Sequence, residues 1–105
     1  MSAQRAEQVA AAVLAHPAVA RLHAGPYGTI ASYLPGRRVD GVRIAEDGSS
    51  VELAVVVELT AVGPGRSIPA VAEQLRAAVR ELTGDVRVDV LIVDLVNASL
   101  LEGIR

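Results

Sequence analysis

The spacing of apolar residues along this chain changes from a helical period to a strand period and back again. Ala6, Val9, Ala10, Val13 and Leu14 recur at the i, i+3, i+4, i+7 spacing that lines one face of a helix. Ser2 stands where an N-cap would. Pro17 stops the run because its ring disfavours helical backbone at His16. The spacing predicts a first helix over about residues 3–15. Val19 and Leu22 fall out of strict alternation, so residues 17–24 are compatible with a short strand. Between the turn signals Gly25-Pro26-Tyr27-Gly28 and Pro35-Gly36, the piece TIASYL carries no period that assigns it a state.

The strand period sets in at Val42. Val42 and Ile44 alternate with Arg43 and Ala45, Asp47-Gly48 supplies a turn, and Val51, Leu53, Val55, Val57 and Leu59 alternate on the return, which predicts a β-hairpin. The other face of the return strand carries Glu52 and Glu58 at its ends but Ala54 and Val56 in its middle, so this strand is expected at the centre of a sheet. A second helix follows, capped by Ser67, with Pro69 in its first turn, Val71, Leu75, Ala78, Val79 and Leu82 on one face, Arg76, Arg80 and Glu81 outward, and Gly84 as its stop. The last strand, about residues 85–96, is apolar on both sides, with Val86, Val88, Val90 and Ile92 on one and Leu91, Val93 and Leu95 on the other.

The order α-(β)-β-β-α-β is that of an α+β two-layer sandwich, a small mixed or antiparallel sheet with both helices on one face. One domain spans residues 1–105, with its core in about 3–96 and a tail at 97–105. The second sheet face is then left with an apolar strip, Ala54, Val56, Leu91, Val93 and Leu95, which predicts a partner or a homo-oligomer.

Composition narrows the chemistry. Hydrophobic residues are 51 % of the chain, yet Phe, Trp and Cys are absent, so the core is built from aliphatic residues, and thiol catalysis, thiolate metal sites and disulfides are excluded. All ten basic residues are arginine and the net charge is −2, which argues against a general nucleic-acid binder. The first residues lack the regions of a signal peptide, and the apolar runs are broken by Arg87, Asp89 and Asp94 well short of the ~20 residues a membrane span needs. The expected location is cytoplasmic, with no direct membrane span.

The candidate chemical sites reduce to a few. Gly63-Pro64-Gly65-Arg66-Ser67 puts glycines and an arginine ahead of a helix, where an anion could sit, but it lacks the lysine and the glycine spacing of a phosphate loop and reads as a turn into a capped helix. Arg37 and Arg38, with Arg43 nearby, form the only local basic cluster, and with Arg66 they are the candidate anion contacts. His16 and His23 have neither metal-site spacing nor carboxylates beside them. Asp89 and Asp94, an odd and an even position, are expected on opposite faces of the last strand. No catalytic, cofactor or metal residues are assigned, and the expectation is a protein that is not an enzyme.

The succession GVRIAEDGSSVELAVVVEL, SIPAVAEQLRAAVRELTG and VRVDVLIVDLV resembles the alkaline shock protein family of Gram-positive bacteria, and HPAVARL looks like that family's V-P-G-V segment after its first helix. The likeness covers about residues 5–96. It implies a non-enzymatic cytoplasmic protein of cell-envelope homeostasis and stress that can oligomerise and is held at the membrane by a membrane-anchored partner. The chain departs from the family's pattern in its longer junction TAVGPGR and in GPYGTIASYLPGRR, which replaces a glycine-rich stretch. An alternative reading makes Gly25-Pro26-Tyr27-Gly28 the G-x-x-G loop of a KH-like nucleic-acid-binding module, used together with Arg37 and Arg38.

Overall fold

The computed structural model describes residues 2–64 and 66–97, with the side chains of Ser2 and Ala3 excepted. The elements are α1 (Ser2–Leu14), β1 (Val19–Leu22), β2 (Ala31–Leu34), β3 (Arg37–Asp40), β4 (Val42–Ile44), β5 (Ser50–Glu58), a 3-10 turn (Leu59–Ala61), α2 (Ile68–Thr83) and β6 (Arg87–Val96). This is the expected α+β class, with a mixed sheet. The capping role expected of the Ser2 side chain, the tail at 98–105 and Gly65 lie outside the described residues.

β5 is the centre. Along one edge it pairs in parallel with β6 over its full length, and the helix α2 makes the crossover between them. Along the other edge lie two short antiparallel strands placed end to end: β4 opposite Val51 to Leu53, and β1 opposite Val55 to Val57. They meet at Ala54, whose amide donates to the Gly41 carbonyl at 2.9 Å and whose carbonyl accepts from the His23 amide at 3.0 Å. The piece without an assigned state contributes β2, which pairs with β3 as a separate two-stranded hairpin around Pro35-Gly36.

One core lies between the sheet and the two helices. Ala6, Val9, Ala10 and Val13 of α1 and Val71, Leu75 and Val79 of α2 are buried against Val51, Leu53, Val55 and Val57 of β5. Each fully buried Val or Leu contributes about 1.5–3 kcal/mol of transfer free energy, so this face holds the fold together. α1 ends in a turn in which His16 Nδ1 accepts from the Ala18 amide at 3.0 Å. His16 Nε2 then donates to Gln74 Oε1, tying the end of α1 to α2. α2 begins as its sequence predicts, with Ser67 Oγ accepting from the Ala70 amide at 3.2 Å, and ends at Gly84 in the left-handed region.

Candidate functional site

The expected contact surface is built on β5 and β6, and the register decides what it presents. Val88, Val90 and Ile92 pair with Val51, Leu53 and Val55 and so turn toward the helices. Arg87, Asp89 and Leu91 pair with Ser50, Glu52 and Ala54 and turn to the outer face. The register then slips by one residue, because Val55 pairs with Ile92 but Val56 with Asp94. Two expectations are corrected by that slip. Asp89 and Asp94 share the outer face rather than opposing each other, and Leu95, opposite Val57, belongs to the helix side rather than to the face of Leu91.

A third correction concerns the strip itself. Ala54 and Val56 are 0 % exposed, so they are not available to a partner, whereas Leu91 and Leu95 are 41 % and 42 % exposed and Val93 is half-buried. The accessible apolar residues of the strip are thus those of β6, an edge strand that among the described residues pairs with β5 alone, and not those of the central strand. Two residues that sequence reasoning placed outward in solvent fold back onto this strand. Arg76 Nε donates to the Val88 carbonyl at 3.2 Å and Arg80 Nε to the Val86 carbonyl at 3.1 Å. Their i, i+4 spacing put them on one side of α2, but no sequence signal told which strand that side would meet.

The arginines proposed for anions are engaged elsewhere. Arg37 pairs with Glu7 of α1, Arg38 with Asp40 at 2.7 Å and Arg43 with Glu52 at 3.7 Å. These pairs are exposed, each contributing under about 1 kcal/mol, but they neutralise the cluster locally. Arg38 also donates to the Gly28 carbonyl at 2.8 Å and lies 5.4 Å from the centroid of the Tyr33 ring, so it ties the β1–β2 loop to the β2–β3 hairpin. Gly25 to Gly28 joins two strands, β1 and β2, where a KH clamp needs two helices. A shallow groove of about 500 Å³ beside the hairpin is lined by Thr29, Ser32, Tyr33, Arg43 and Glu46 among others.

At Arg66 the chain closes a turn on itself: the Arg66 amide donates to the Gly63 carbonyl at 2.9 Å and the Gly63 amide to the Arg66 carbonyl at 3.1 Å. With those amides used inside the turn and the Ala70 amide held by Ser67, the Arg66 guanidinium is one group among the described residues that could hold an anion there. His23 Nδ1 accepts from the Gly25 amide at 2.9 Å, so both histidines serve as local braces. Among the described residues no three His, Asp or Glu side chains gather as a metal site would need, and no helix is long and apolar enough to cross a membrane.

Comparison of the chain with protein-family models, curated proteins and solved structures yields no significant match.

Proposed function

We propose that this chain is a non-enzymatic scaffold of cell-envelope homeostasis under stress, cytoplasmic, which works by self-association and by binding a membrane-anchored protein. The observation that carries this reading is the half-exposure of Leu91 on the outer face and of Leu95 on the helix side of β6, a strand with one neighbour, since exposed apolar side chains on so small a domain suit a protein partner. Support also comes from the β4–β5 hairpin, α2 and β6, the segments that carry the resemblance to the alkaline shock protein family. The pairing of Arg37 and Arg38 with carboxylates weighs against nucleic acid as the partner.

The test is capture of the tagged chain from detergent-solubilised cells of its own source, with and without nuclease. The expected result is a protein with a membrane-spanning segment that is retained after nuclease treatment and that, once purified, binds the chain directly. Recovery of nucleic acid and its proteins alone, lost on nuclease treatment, would overturn this function in favour of a nucleic-acid-binding module.

A further inference from the structure

The outer edge of β6 is sealed at two places and open between them. Arg80 and Arg76 hold the carbonyls of Val86 and Val88, and the Asp94 carboxylate accepts from the Leu95 amide at 2.8 Å. Backbone groups alternate in direction along a strand. Val86 and Val88 turn outward and Arg87 donates inward to the Ser49 carbonyl, so Val90 and Ile92 turn outward as well. Among the described residues nothing is bonded to that short stretch of edge. Outward amides and carbonyls of this kind are a template for another strand.

The open stretch is complementary to itself. If two copies meet about a two-fold axis at Leu91, their β6 strands run antiparallel with Val90 of each opposite Ile92 of the other. Each such pair exchanges both backbone bonds while the Arg76 and Asp94 seals stay in place. A register centred on Val90 would set Val88 against Ile92, where Arg76 already occupies the Val88 carbonyl. On the outer face, the exposed Leu91 side chains of the two copies would meet across the axis. The charges agree with this arrangement. Arg87, which pairs with Asp89 of its own strand at 3.1 Å, and Asp94 share the outer face at opposite ends of the open stretch, so the two-fold brings Arg87 of each copy to a second carboxylate at the Asp94 end of the other.

We infer that the free edge of β6 docks a second copy of this chain, antiparallel about Leu91, so that one sheet runs through the dimer. The inference rests on the self-association reading above and gives it a location. It is tested by sedimentation of the full chain over rising concentration, with circular dichroism as the check that each variant folds. The wild type dimerises reversibly and Leu91→Asp stays monomeric. Arg87→Asp weakens the dimer about tenfold or more, and adding Asp94→Arg to it restores much of the loss, because the reversed charges face each other again. The paired reversal keeps the test decisive even if Leu91→Asp fails to fold. A dimer of unchanged affinity in Leu91→Asp and Arg87→Asp would overturn the β6 edge while leaving self-association standing. A wild type that remains monomeric at its highest soluble concentration would overturn both.

Discussion

β5 and β6 are written in nearly the same way, as runs of Val, Leu and Ile apolar on both sides, yet they end in different environments. From Leu53 to Val57 every residue of β5 is fully buried, with strands on both edges. β6 has one fully paired edge, one edge sealed only in part by Arg76, Arg80 and Asp94, and Leu91 and Leu95 half in solvent. A doubly apolar strand therefore announces that both its faces want cover, but whether the fold provides that cover depends on its place in the sheet. Where the fold does not, apolar side chains stay half in solvent, as Leu91 and Leu95 do.

The sharpest way to break the comparison is to cut both strands alike. Leu53→Ala removes a side chain packed under both helices and leaves a cavity, so unfolding in urea should show a loss of about 2–5 kcal/mol. Leu91→Ala, on the outer face of β6, should cost the dilute monomer no more than about 0.5 kcal/mol. Comparable losses at the two positions would mean that β6 is covered as completely as β5 and would remove the contrast.

The second largest effect is expected where the two short strands meet along the edge of β5. Gly41 has φ +84°, and a Cβ there would lie 2.7 Å from Leu22 Cβ and 2.8 Å from the Ala54 carbonyl oxygen. The backbone oxygen cannot move without breaking the bond from His23 that joins β1 to β5. Gly41→Ala should therefore lower stability by at least the about 1–3 kcal/mol of backbone strain, with the loss seen first in faster amide exchange at His23 and Ala54. An unchanged exchange pattern would show that the junction does not depend on the close approach at Gly41.

How much of this was legible follows from how strict each period is. α1, the β4–β5 hairpin and α2 carry unbroken spacings of 3.6 or 2, and Ser67, Pro69 and Gly84 mark the ends of α2 with residues whose physical roles are unambiguous. The β2–β3 hairpin was not legible beyond its Pro35-Gly36 turn: its strands are short, mostly exposed, and pair with each other rather than with the main sheet, so no apolar alternation was imposed on them. The slip in β6 was invisible for the opposite reason. Leu91-Ile92-Val93 is apolar at every position, so an extra residue there disturbs no pattern, yet it carries Asp94 to the outer face and Leu95 to the helix side. The apolar strip read from the sequence across β5 and β6 is therefore accessible only at its β6 members, and those are divided between two faces.

Smaller effects come from the ends of the elements that flank the two strands. Ser67→Ala removes the acceptor of the Ala70 amide at the start of the helix that links β5 to β6 and should cost about 1 kcal/mol by thermal or urea unfolding. Ser67→Gly should cost only a few tenths of that unit, since glycine leaves the amide open to water. Equal losses for the two would point to a role of the Ser67 side chain other than capping.

The smallest expected effect lies in the turn that feeds β5, and its sign is fixed by the direction of a pKa. Asp47 accepts from the Ser49 hydroxyl at 2.6 Å and from the Ser49 amide at 3.0 Å, and these bonds, the hydroxyl first, hold its carboxyl below the ordinary value of 3.8. A depressed folded-state pKa means that the charged form is favoured by folding, so its contribution is complete above the ordinary carboxylate range. As pH falls, that contribution is lost between the ordinary value and the lowered one. Asp47→Asn keeps an oxygen acceptor but cannot titrate. The stability difference between wild type and Asp47→Asn should therefore be constant near neutral pH and shift against the wild type as acid protonates Asp47. Because the carboxyl is fully exposed, the shift should be small, and parallel stability curves through the acid range would mean that the Ser49 bonds do not persist in solution.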